Sequence, residues 1–156
     1  MTPAKFLFDE CALGAPAVAA IQSVLKFSPQ TAELDHVITR FGAGAKDDDW
    51  IPAAAGENWI VVTADAGKHK SKGGKLPVLC EQFGVTHIVM SAAVNKMSSF
   101  GRQRVIIENW EAILAVADEP KGSRFSLRRV GAQGRTTLVC VKRPEPGTAK
   151  VQQDLF

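Results

Sequence analysis

The chain has 156 residues, 46% of them hydrophobic, which suffices for one domain with a core of its own and is too short to suggest two. Its formal net charge of +3 hides an acidic front and a basic back: residues 1–60 carry four Lys or Arg against eight Asp or Glu, and residues 121–150 carry eight Lys or Arg against Glu145 alone. Cys11, Cys80 and Cys140 show no C-x-x-C spacing, which argues against a disulfide framework or a structural zinc site, and no stretch approaches the roughly 18 uninterrupted apolar residues of a membrane span.

Lys5 to Phe8, KFLF, is an apolar run stopped by Asp9 and Glu10, and it reads as a buried strand. The same two acids interrupt what would otherwise look like a signal peptide, so a cytoplasmic protein is expected. Ala17, Val18, Ile21, Val24 and Leu25 recur at helical spacing, with Pro16 in the first turn and Ser28-Pro29 as the stop. Leu34 to Ile38 reads as a second strand, followed by the glycine-rich loop GAGAK. Asp47 to Ala55 predicts a helix that starts in acid, as a helix N-terminus favours, and ends at Gly56.

Trp59 to Thr63, WIVVT, is the clearest strand in the chain. A helix is expected over Leu76 to Phe83, a strand over His87 to Met90, and an amphipathic helix over Arg102 to Ala117 with Val105, Ile106, Trp110, Ile113 and Leu114 on one side. Arg124 to Arg129 and Thr136 to Lys142, separated by GAQGR, read as a β-hairpin at the edge of the sheet or beside it. The alternation predicts an α/β fold, a mainly parallel central sheet flanked by helices, with a C-terminal β-hairpin. Residues 1–143 are expected to form this domain and residues 144–156 a flexible tail rich in Pro, Gly and polar residues.

In such a sheet the loops that leave parallel strands gather on one edge, where ligands bind. Asp9 follows the first strand and Asp65 lies two residues beyond Thr63, so both belong to that edge. The helix opened by Asp47, Asp48 and Asp49 runs antiparallel to the strand after it and starts near the same edge. Each acid has a structural alternative: Asp9 and Asp48 as helix caps, Asp65 in an Asx turn. Together they form a cluster of like charges that is stable chiefly around a cation, and carboxylates and water suit Mg²⁺ or Mn²⁺.

The order FLFDE, DDDWI, WIVVTAD resembles the PIN-like nuclease domains, in particular the compact bacterial, VapC-type toxin group. In that pattern Asp9 and Glu10 are the acids after strand one, Asp48 opens D-x-x-I with Ile51, and Thr63 and Asp65 form T-x-D. The resemblance covers roughly residues 5 to 90. It departs at Cys11, where many relatives carry Asn, and at Gly67, where many carry a further acid.

The resemblance implies metal-dependent hydrolysis of RNA phosphodiester bonds, often by the toxin of a toxin–antitoxin pair with a cognate antitoxin as partner. Asp9, Asp48 and Asp65 would hold Mg²⁺ or Mn²⁺, with Glu10 assisting and Thr63 orienting a ligand or phosphate. Lys68, Lys70, Lys72 and Lys75 in KHKSKGGK are candidate RNA phosphate contacts, and Arg102, Arg104, Arg128 and Arg129 are candidates to extend that basic surface. Trp50 and Trp59 sit in apolar segments and are expected in the core. GAGAK lacks the spacing of a P-loop, and no late-strand lysine completes a receiver-like site. QQDLF, with Gln152, Leu155 and Phe156, resembles the short peptides by which bacterial proteins dock on the DNA sliding clamp. It supports a rival expectation, a catalytically weak nucleic-acid-binding or DNA-repair module.

Overall fold

The computed structural model describes residues 3–64, 75–131 and 134–145. Strand β1 (Ala4–Phe8) leads into helix α1 (Ala15–Leu25), and β2 (Ala32–His36) into the short α2 (Val37–Phe41) and then α3 (Asp47–Gly56). β3 (Ile60–Thr63), α4 (Lys75–Gln82), β4 (His87–Met90), α5 (Ala92–Asn95), α6 (Ser99–Glu108) and α7 (Trp110–Ala115) follow, and β5 (Arg124–Val130) and β6 (Arg135–Lys142) close the fold. The strands form one sheet in the order β2-β1-β3-β4-β5-β6. Neighbours from β2 to β5 are parallel, and β5 with β6 is antiparallel.

The apolar runs follow from this topology, since a central parallel strand is covered on both faces and successive side chains point to opposite sides. Phe6, Phe8, Ile60, Val62, Ile88 and Met90 pack against α1, α6 and α7 in one core. Leu7 and Val61 point the other way, onto Trp50, Ile51 and Ala54 of α3 and Leu76 and Cys80 of α4. Trp50 and Trp59 are each 2% exposed, so both belong to the core, as expected. Burial raises the Cys80 thiol to about 12. Among the described residues no helix is long and apolar enough to cross a membrane.

The hairpin lies at the edge of the sheet, with β5 carrying the parallel ladder and β6 outermost. Two expected boundaries move. The second strand spans Ala32–His36 and not Leu34 to Ile38, because His36 turns the chain: its Nδ1 accepts the N–H of Ile38 at 3.0 Å and caps α2. The long helix expected from Arg102 to Ala117 starts earlier, under a Ser98 cap, and breaks at Asn109. There the backbone leaves helical geometry (φ −100°, ψ 13°) and the Asn109 amide donates to the Val105 carbonyl at 2.8 Å. The tail expected from Pro144 lies outside the described residues beyond Glu145.

Candidate active site at the carboxyl edge of the sheet

β1 and β3 pair as far as Phe8 with Val62, and the Asp9 N–H still donates to the Val62 carbonyl at 3.1 Å. Asp9 therefore leaves the ladder at its carboxyl end. Its carboxylate accepts the N–H of Cys11 in an Asx turn, and its carbonyl accepts from Ala12 at 3.1 Å and Leu13 at 3.2 Å. The N-cap of α1 is Gly14, so Asp9 shapes the turn after β1 and does not cap the helix. Asp9 is half-buried and Glu10 exposed.

Two distant groups hold this turn. The buried His36 donates from Nε2 to the Leu13 carbonyl at 2.8 Å, a tautomer required by the Ile38 N–H donated to Nδ1. Arg102, on α6, donates from Nη1 to the Cys11 carbonyl and to Asn95 Oδ1, each at 3.3 Å. The Cys11 residue is thus held at its N–H by Asp9 and at its carbonyl by Arg102. Sequence reasoning placed Arg102 on a basic surface; 91 residues separate it from Cys11, and nothing local signals that contact.

α3 runs antiparallel to the strands. Lys5, near the start of β1, donates from Nζ to the Glu57 carbonyl at 2.9 Å, which ties the far end of α3 to the amino edge and leaves its acidic start toward the carboxyl edge. Within the acidic triplet helical periodicity separates the roles. Asp47 lies on the inward face above Trp50, Ile51 and Ala54, and accepts the Trp50 indole N–H at 3.0 Å. Asp48 and Asp49 are both exposed; Asp48 aligns with buried Ile51 and half-buried Pro52 and Ala55, and Asp49 with half-buried Pro52 and exposed Ala53 and Gly56. Lys46 is the N-cap residue and contributes no side-chain cap.

Thr63 closes β3 with 0% exposure, and a 2.7 Å hydrogen bond joins its Oγ1 to His87 Nε2 across β4. Its hydroxyl is enclosed in protein. Among the described residues His87 Nδ1 is buried without a hydrogen-bond partner, and burial, helped by the nearby Arg124 cation, pushes the imidazole down to about 3. The unfolded chain therefore takes up a proton below about pH 6.5 that the folded chain refuses until about pH 3, and stability falls with pH across that window. Between pH 7 and 5.5 this single group is expected to remove about 1 kcal/mol. Urea titrations at the two pH values should show the loss shrinking by about that amount in His87→Gln.

Asp65, Lys68, Lys70 and Lys72 lie outside the described residues, as does the side chain of Lys75, the first residue of α4. Among the described residues no group of three or more His, Cys, Asp or Glu is placed to hold a metal ion. The donors brought to this edge, Asp9, Glu10 and Asp48, are hard carboxylate oxygens and fit Mg²⁺ or Mn²⁺ in chemical type. The Arg104 charge is matched by Glu108 at 2.8 Å, and Arg128 and Arg129 are exposed on β5.

Residues 4–72 match a family model described as a PIN like domain. No curated protein and no solved structure matches. PIN-like domains are generally nucleases, hydrolases that typically use divalent metal ions. The matched stretch takes in β1, the Asp9 turn, the acidic helix, β3 and Asp65, and the match supports a PIN-like domain over this part of the chain.

Proposed function

We propose that this protein is a Mg²⁺- or Mn²⁺-dependent endoribonuclease of the VapC-type toxin group, cytoplasmic and restrained by a cognate antitoxin. The observation that carries the reading is the PIN-like match over residues 4–72, which spans every acid named for the site. Asp9, Asp48 and Asp65 hold the ion, Glu10 positions a water, and Lys68, Lys70, Lys72 and Lys75 contact RNA phosphates. Buried Thr63 acts indirectly, by fixing the end of β3 against His87 just before Asp65. A divalent ion supplies an acidified water and neutralises charge at the phosphorus. The chain's own part is to orient the carboxylates, and the Asx turn and the Arg102 contact do this for Asp9.

The test is RNA cleavage with Mg²⁺ or Mn²⁺, with and without chelator, for wild type and Asp65→Asn. Cleavage is expected only in the wild type with metal, and cleavage that survives both chelator and substitution would remove the mechanism. A second reading draws on Cys11, Gly67 and QQDLF: a catalytically weak module tethered to the sliding clamp through Gln152, Leu155 and Phe156. Deleting residues 152–156 separates the two, since a free ribonuclease keeps its activity and a tethered module loses the clamp in a pull-down.

A further inference from the structure

β4 pairs with β5 only as far as Met90 opposite Leu127, and the Ser91 N–H adds a last bond to the Leu127 carbonyl. β5 nevertheless continues to Val130, and β6 begins at Arg135. The pairs Arg128 with Thr137, Arg129 with Thr136 and Val130 with Arg135 therefore stand beyond the end of β4 as a two-stranded ribbon about 10 Å tall. Since β1 and β5 point the same way, this ribbon overhangs the edge from which Asp9 emerges. In the strand order it is three spacings from β1, about 14 Å.

Charge divides along the hairpin. From Lys121 to Arg143 the sequence holds seven Lys or Arg and no Asp or Glu. At the base the cations are matched: Arg124 and Lys142 face Glu81, and Arg143 faces Glu119. On the ribbon they are not. Arg128, Arg129 and Arg135 are exposed and make no ion pair among the described residues. Arg128 and Arg135 share one face, because Arg135 is opposite Val130, two residues from Arg128. Arg129 lies across the turn, its Nε donating to the Gly134 carbonyl at 3.3 Å. A Cβ at Gly134 would approach that guanidinium to 3.1 Å, and the glycine has φ +67°, so the turn is fitted to the arginine above it.

We infer that the ribbon formed by β5 and β6 is a phosphate-gripping arm for single-stranded RNA, with Arg128, Arg129 and Arg135 as its contacts. The inference rests on the nuclease reading for the identity of the polyanion. Guanidinium groups pair with phosphate oxygens through parallel N–H donors. With no aromatic side chain among its exposed residues, the arm holds backbone and not bases, so its binding is independent of sequence and sensitive to salt.

The test is fluorescence anisotropy of a labelled single-stranded RNA oligonucleotide, in chelator so that no cleavage occurs, across about 50 to 200 mM salt. Arg128→Ser/Arg129→Ser/Arg135→Ser is expected to weaken binding at least about tenfold and to lower the salt slope by about 2, near 0.7 per lost phosphate contact. The triple Lys variant keeps the charge and should stay within about threefold of wild type, with unchanged thermal melting in both variants. Unchanged affinity and slope in the Ser variant overturn the arm, as does a wild type that binds no RNA. Arm-dependent binding without cleavage leaves the arm standing and removes the nuclease reading; cleavage with arm-independent binding does the reverse. If sedimentation shows that wild type self-associates and the Ser variant does not, while RNA binding is unaffected, the ribbon is an interface between copies and the inference falls.

Discussion

Asp9→Asn is expected to lower metal-dependent RNA cleavage by at least about a hundredfold while leaving the melting temperature almost unchanged. The separation follows from the turn. Asn keeps a side-chain oxygen that can accept the Cys11 N–H, so the turn is kept while the negative charge offered to the ion is lost. Arg102→Gln probes the same turn from outside. It leaves every carboxylate in place but releases the Cys11 carbonyl, so the Mn²⁺ concentration for half-maximal cleavage should rise about tenfold, as for other groups that orient metal ligands. The rate at saturating Mn²⁺ should change little. Cleavage assays over a Mn²⁺ titration check both, and full activity in Asp9→Asn would remove that residue from the site.

Trp59→Ala is the substitution expected to cost most stability, about 3 to 5 kcal/mol, a large part of the 5 to 15 kcal/mol typical of a domain. Trp59 is 2% exposed, and its ring lies under two cations, Lys5 Nζ at 4.5 Å and Arg40 Cζ at 4.8 Å from the centroid. Its indole N–H donates to Glu57 Oε2 at 2.8 Å, which, ahead of the Arg40 contact, holds the Glu57 carboxyl below its usual range. Truncation leaves a cavity and removes the surface on which the Lys5 and Arg40 stems rest. Trp59→Phe should recover more than half of the loss, since the ring stays and only the N–H goes. Urea unfolding measures both, and a loss below about 1 kcal/mol in Trp59→Ala would contradict this account of the core.

Strand and helix order was readable because it is written in short-range patterns. KFLF, WIVVT and HIVM are continuous apolar runs, and the structure buries them from both sides of a parallel sheet. The acid-first helix was equally plain, because a helix N-terminus favours negative charge whatever surrounds it. The errors fall where one side chain competes with the pattern. His36 and Asn109 divert the backbone with their own hydrogen bonds, and hydropathy does not register which way a ring nitrogen or an amide points.

The sequence by itself determined the α/β class, the two-faced core and the order of the acids, since each depends on residues within a few positions of one another. It also carried the PIN-like pattern, whose spacing is local to each motif. Only the tertiary structure decided that Asp47 serves Trp50 while Asp48 lies beside the half-buried positions, that Thr63 is enclosed against His87, and that Arg102 reaches Cys11. The same holds for the ribbon: a basic C-terminal hairpin is visible in composition, but its overhang exists because β4 stops at Met90 while β5 does not. Contacts across such sequence separations are set by strand register and by which face a side chain takes, and both emerge only when the sheet is assembled.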